Sequence, residues 1–321
     1  ARKNNGAQLE TVLKQTFSTQ QLPELLLELQ TFSDENGHVQ NSVYWKNLNN
    51  ELREASILQE DLKINNKAKD NFHQYAEMYD ALICQPMLDS FMSNYLLFFK
   101  NKFSPDMSSK SIISIGVGTG LIEKFMIDNM GVEYDKLYGI DISKSMVLEA
   151  RKRIQADQGD VLELDSTIRR WDIAYSGLNV FHYINHLQLE EAIVKTASIV
   201  KKGGWFLGDF ITPDHIRWYP NVLYSADKKI ISLRTPSLIG DQGSVFQESE
   251  IINLDFSGEQ LVVNYAGKHK RFLPPLHRVR KYFENAFGGE VKLYDAHSME
   301  VIPNEADTCE STRYVVIAQK E

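Results

Sequence analysis

Three glycines at alternate positions, Gly116, Gly118 and Gly120, follow a run of Ile and Ser from Ser111 to Ile115. A helix-like stretch from Leu121 to Met130 comes next, then an apolar run, Leu137-Tyr-Gly-Ile, that ends on Asp141. Glycines allow a tight turn after a strand and a close approach of backbone N–H groups to a ligand. A carboxylate about twenty residues further on is placed to accept the hydroxyls of a ribose. Spacing then selects the kind of nucleoside. A diphosphate site requires G-x-G-x-x-G, but the third position is Leu121 counted from Gly116 and Glu123 counted from Gly118. No G-x-x-x-x-G-K-[ST] phosphate loop occurs either. A ligand with a ribose and no phosphates fits best, which points to S-adenosylmethionine. A nicotinamide-dependent reductase is disfavoured by the same spacing.

Further acids and histidines fall where such a site would need them. Asp160, after Gly159, would accept the adenine amino group, and Asp157 takes that place if the register differs. His182 closes Leu178-Asn-Val-Phe-His, and Asp209 lies in Trp205-Phe-Leu-Gly-Asp. Both stand near the carboxyl ends of expected strands, where ligands sit in doubly wound sheets. A histidine can take a proton at neutral pH, and a carboxylate can hold its tautomer. His186 and His277 are the lesser candidates for a base. His182, His186 and Glu190 have i, i+4, i+8 spacing, but the helix is expected to begin only after His186, and no metal site is assigned.

The elements that must position these groups follow from periodicity. The expected fold class is α/β, a Rossmann-like seven-stranded sheet with an N-terminal helical region and a β insertion. Residues 1–100 read as a helical lid or docking region. Residues 101–321 read as the nucleoside-binding core, with the insertion at about 213–273. Phe72, Tyr75 and Tyr79 share one helical face before the core, and Tyr79 is taken as a contact to the cofactor. Leu88, Phe91, Met92, Tyr95, Leu96 and Phe99 mark an apolar helix packed on the sheet. Ser143 is an expected N-cap, and Lys201-Lys-Gly-Gly204 an expected left-handed helix end. Pro274-Pro275 opens a helix from Leu276 to Phe287, and two closing strands follow.

From about Asn71 to Glu321 the chain resembles the class I SAM-dependent methyltransferases. The resemblance rests on Ile115-Gly-Val-Gly-Thr-Gly, Gly139-Ile-Asp141-Ile-Ser, Gly159-Asp160-Val, Asn179-Val-Phe-His182-Tyr-Ile and Lys202-Gly-Gly-Trp-Phe-Leu. It implies that Ile142 and Val161 join Gly116, Gly118, Gly120, Asp141, Asp160 and Tyr79 around the cofactor. A narrower likeness is to methyltransferase domains embedded in polyketide synthases. In that group the histidine after strand four is the base and an acid after strand five orients it, roles that fall on His182 and near Asp209. Carbon-methylating members usually have Glu at the second position, so Asp209 favours O-methylation. The resemblance thus implies methylation of a hydroxyl on a polyketide or peptide intermediate held by an acyl carrier protein through phosphopantetheine. The alternatives are C-methylation of a β-ketoacyl thioester and a non-catalytic SAM-binding scaffold.

Composition narrows the rest. A net charge of −8 argues against a nucleic-acid backbone as the main partner. Two cysteines, Cys84 and Cys309, make neither a disulfide framework nor a metal cluster, which reads as a cytoplasmic protein. No apolar run reaches the length of a membrane span. The first residue is Ala1, which suits processing or a domain of a larger polypeptide. One basic segment, Lys268-His-Lys-Arg271 with Arg278, Arg280 and Lys281, is either a solvated face or a dock for an anionic carrier.

Overall fold

The computed structural model describes residues 72, 76–219, 222–241, 243–255, 257–258 and 262–321. The helices expected between residue 1 and about 66, and Tyr75, lie outside the described residues. The chain divides into two compact units. One comprises Ile83–His215, Ile239–Phe246 and Arg271–Glu321; the other comprises Ala1–Leu82, Ile216–Leu238 and Gln247–Lys270. The apolar helix of residues 88–99 therefore belongs with the sheet, inside the first of these units.

That unit holds a seven-stranded sheet. In chain order its elements are α1 (Ser93–Phe103), β1 (Ile112–Ile115), α2 (Leu121–Met130), β2 (Leu137–Asp141), α3 (Lys144–Ala150), β3 (Gln155–Gln158), β4 (Trp171–Ser176), α4 (Leu189–Ser198) and β5 (Val200–Ile211). The strand order places β4 against β1, so β1 and β4 flank the point where the winding reverses. β1 pairs in parallel with β2 and with β4, and β2 with β3. All four residues of β1 are buried, as a central parallel strand covered on both faces requires. On α1, Phe99 and Phe103 pack against Trp205 of β5 at ring-centroid distances of 6.3 and 5.1 Å.

The helix before β5 ends differently from the expectation. Its cap is Ile199, in the right-handed region. Gly203, at φ +75°, instead lies inside β5, where the register against β4 shifts between Trp171 and Ile173. The glycine serves a bulge rather than a helix end.

The other unit carries most of a four-stranded sheet in the order β6 (Val222–Tyr224), β7 (Ile230–Asp241), β8 (Ser244–Asp255) and β9 (Val262–Phe272). This is the expected β insertion. Beyond it, α5 (Leu276–Phe287) begins after Pro275. β10 (Gly288–Asp295) and β11 (Arg313–Lys320) then close the large sheet, β11 pairing antiparallel with β5. Phe206, Phe210, Phe283, Phe287 and Tyr314 form its aromatic core. Among the described residues no helix is long and apolar enough to cross a membrane.

Candidate active site

The turn after β1 takes its shape from three left-handed residues. Gly116, Gly118 and Gly120 have φ of +70°, +57° and +77°. At Gly116 a Cβ would stand 2.4 Å from the methyl carbons of Val180, so no larger residue fits. The N–H groups of Gly116 and Val117 both donate to the Ile140 carbonyl, at 2.8 and 2.9 Å, which ties the turn to the end of β2. Gly120 then starts α2.

Asp141 ends β2 beside this turn. Its Oδ2 accepts from the Gly118 N–H at 2.9 Å and its Oδ1 from the Ser143 N–H at 2.8 Å. Ser143 caps α3 as expected, accepting from the Met146 N–H. The Gly159 N–H donates to the Asp141 carbonyl, which brings the end of β3 alongside. There Asp160 caps the short helical turn Val161–Glu163, accepting from the Leu162 N–H at 2.9 Å. The rival acid, Asp157, instead accepts from Tyr138 and pairs with Arg151 at 2.5 Å. Gly116, Gly118, Gly120, Asp141, Ile142, Asp160 and Val161 thus meet along the carboxyl edge of β1, β2 and β3. Tyr79 falls in the other unit, where its ring stands edge-on to Phe72.

These residues fit S-adenosylmethionine on their chemistry. Ile142, next to Asp141 in the chain, leaves an apolar side chain 68% exposed, a surface suited to a purine ring. Each carboxylate oxygen has a second lone pair for a ribose hydroxyl or an exocyclic amine.

The ends of β4 and β5 are arranged differently. Leu178 and Asn179 are left-handed without being glycine, at φ 54° and 67°. Such a backbone persists only where neighbours hold it. Asp209 does this by accepting from the Leu178 N–H at 2.6 Å, and Arg313 by donating to Asn179 Oδ1 at 2.8 Å and to Asp209 Oδ2. Burial raises the Asp209 carboxyl above its ordinary range, and the Arg313 charge opposes that.

His182 is the main correction. It is buried, its Nδ1 donates to the Phe272 carbonyl at 2.6 Å, and its Nε2 accepts from the Ile211 N–H at 3.0 Å. Both nitrogens are spent on backbone, and burial drives the ring down to about 3. A ring so held has no lone pair for a substrate proton. Nor does Asp209 orient it, since that carboxylate is committed to Arg313 and the Leu178 N–H. The expected His–acid dyad is not formed.

The lesser candidates also have structural partners. His186 packs its ring on Phe246 and Phe272, at 5.3 and 5.6 Å. Ile184 is extended between it and the short turn bearing His182, so the two histidines do not share a helical face. His277 meets Asp307 at 2.6 Å on the surface. Among the described residues no group of three or more His, Cys, Asp or Glu side chains is disposed to hold a metal ion. Arg271 lies over the Tyr183 ring and bonds its hydroxyl, and Arg280 is buried on Asn304 and two carbonyls.

Sequence reasoning missed Arg313, which lies on the last strand with no motif around it. It also passed over His215, half-buried in the turn after β5 and held well below its ordinary value by desolvation.

Comparison with known proteins decides the class. Residues 112–204 match the family model described as a methyltransferase domain. The chain carries a methyltransferase domain. It is a SAM-dependent enzyme domain. No curated protein is a significant match. Three solved methyltransferases show the same fold. One is a SAM-dependent methyltransferase from Clostridium acetobutylicum, 16% identical, covering 78% of this chain and 98% of its own, with a TM-score of 0.61. Another is the sugar N-methyltransferase KedS8 from Streptoalloteichus, 14% identical over 80% and 96%, TM-score 0.55. The third is CalS10, an amino pentose methyltransferase from Micromonospora echinaspora, 12% identical over 71% and 91%, TM-score 0.51.

Proposed function

We propose that this methyltransferase acts on a heteroatom of a small biosynthetic intermediate, and that the atom is an amine nitrogen. The observation that carries this reading is His182, whose two nitrogens are both bound to backbone. S-adenosylmethionine supplies a methyl group on a positively charged sulfur. A neutral amine already presents a lone pair to such a carbon, and its proton leaves afterwards to water. An aliphatic hydroxyl needs a base within reach, and the residue expected to be that base is closed off. Two proteins of the same fold, KedS8 and CalS10, are described as acting on amino sugars or sugar nitrogens, which supports the same choice. The chain's own part in this chemistry is positioning, by a rigid turn that Asp141 clamps and a β4 end that Asp209 and Arg313 hold.

A hydroxyl acceptor, on a carrier-bound polyketide or peptide intermediate, is the second reading. One observation favours it: His215, kept neutral by desolvation, lies in the turn that follows β5. The carrier protein would meet the exposed Arg278 and Lys281 of α5.

S-adenosylhomocysteine formation over a panel of amino sugars and carrier-bound hydroxyls tests the choice. For an amine acceptor, kcat/KM should rise with pH along the acceptor's own ammonium titration. Two amines of different basicity should then give two different profiles. A profile independent of acceptor basicity, abolished by His215→Gln, would replace the amine reading by the hydroxyl one. Charge reversal at Arg278 and Lys281 should then raise KM for carrier-bound acceptors alone.

A further inference from the structure

Glu123 stands in the first turn of α2, directly behind the glycine turn, and is 1% exposed. Its Oε1 accepts from the Ser114 hydroxyl of β1 at 2.5 Å. Its Oε2 has no hydrogen-bond partner. The titratable groups that face it are Asp141 at the end of β2, Arg153 after α3, Tyr95 on α1 and Tyr175 on β4. The two tyrosines are bonded to each other at 2.9 Å, and Arg153 donates to the Thr119 carbonyl at 2.8 Å. A buried carboxylate oxygen without a donor is costly to keep.

The cofactor brings the group that this oxygen lacks. Its methionine part ends in an ammonium, which carries three N–H donors and needs both acceptors and a counter-charge when it leaves water. Two carboxylates stand at the turn. Asp141 has a backbone donor on each oxygen, whereas Glu123 keeps one oxygen uncommitted. We propose that Glu123 Oε2 is the anionic partner of the cofactor's ammonium group, which makes Glu123 a cofactor-binding residue. The proposal rests on S-adenosylmethionine being the cofactor.

A linkage follows. Burial raises the Glu123 carboxyl to about 7, with the Ser114 hydrogen bond and the Arg153 charge only partly opposing it. A neighbouring ammonium favours the charged form, so binding expels a proton and affinity rises as pH rises through that value.

Calorimetric titration of the whole chain tests this with two probes. S-adenosylhomocysteine carries the ammonium, and methylthioadenosine keeps the nucleoside but lacks the amino-acid part. Glu123→Gln, isosteric and neutral, should weaken S-adenosylhomocysteine by about tenfold or more and leave methylthioadenosine unchanged. Equal losses on both probes, or no loss on either, would overturn the assignment. The wild-type protein provides a check that needs no variant. Near neutral pH, the binding heat of S-adenosylhomocysteine should vary with the ionisation enthalpy of the buffer, because a proton is released. A heat that does not vary overturns the proposal even if the variant fails to fold. If the wild type binds neither probe, the cofactor reading itself has failed.

Discussion

At the end of β1 the working groups are held by partners near in sequence. The Gly118 N–H reaches Asp141 across 23 residues. At the ends of β4 and β5 the partners are remote. Arg313 reaches Asp209 across 104 residues, and the Phe272 carbonyl reaches His182 across 90. Both regions lie on the carboxyl edge of one sheet. In the first, side chains are left with capacity for a ligand. In the second, the histidine and the acid that resemble catalytic groups are consumed in holding β4, β5, β9 and β11 together. A residue type at the right strand end is therefore a candidate only until its hydrogen bonds have been counted.

The sharpest test of the second region is Arg313. Its side chain is 6% exposed and that of Asp209 is 0% exposed. Arg313→Met would leave a buried carboxylate without its cation and Leu178 and Asn179 without support. A loss of about 3–5 kcal/mol in urea denaturation is expected. A loss under about 1 kcal/mol, the size of an exposed pair, would mean that the network is not what holds the β4 end.

Asp141 is the matching test of the first region. Asp141→Asn keeps the shape and removes the charge that accepts from Gly118 and Ser143. Cofactor affinity should fall by about 10- to 100-fold, as for loss of one or two charge-assisted hydrogen bonds. The acceptor's KM should hardly move. Unchanged cofactor affinity would break the contrast, because this end would then also be built for structure alone.

The same contrast explains what could be read from residue order. The G-x-G-x-G spacing, the acid after β2, Asp160 and the Ser143 cap were all legible, because each depends on a turn and its immediate neighbours. The order of strands was legible from alternating apolar runs and from the helix opened by Pro275. Gly203 was misassigned because a left-handed glycine reads alike at a helix end and in a bulge. His182 was misread for another reason. Its role is set by Phe272 on β9 and Ile211 on β5, and no local pattern announces either. Glu123 escaped notice because burial, not spacing, gives it its character.

His182 separates a structural from a catalytic histidine by which substitution rescues it. His182→Ala orphans the Phe272 carbonyl and the Ile211 N–H, and should cost roughly 1–3 kcal/mol. His182→Gln offers one donor and one acceptor, and should restore most of that stability with turnover within severalfold of wild type. A general base would not be rescued by Gln, and turnover would stay down by about 10²–10⁴. The pH dependence carries a sign as well. His182 falls from 6.5 to about 3 on folding, so between those values the unfolded chain binds a proton that the folded chain does not. That group's contribution is present above 6.5 and lost as pH falls, at up to about 1.4 kcal/mol per pH unit. Glu123 is raised from 4.5 to about 7, so its contribution is present below 4.5 and lost as pH rises through about 7. Between 4.5 and 6.5 the two slopes oppose. Urea denaturation at both ends of that window should show His182→Gln gaining stability on acidification and Glu123→Gln losing it.

The smallest effect is expected at His277. Its pair with Asp307 is short, at 2.6 Å, yet the side chains are 62% and 72% exposed. Water screens such a pair, and ordering two surface side chains offsets most of the attraction. His277→Ala should leave the denaturation midpoint unchanged and turnover within about twofold, an exposed pair being worth little. The comparison with His182 is then complete. One histidine makes two buried backbone bonds and matters to the fold, whereas the other makes one exposed bond and matters to neither fold nor rate. A large loss of turnover in His277→Ala with the midpoint unchanged would reverse that ranking. It would place a general base at the start of α5, which the amine reading does without.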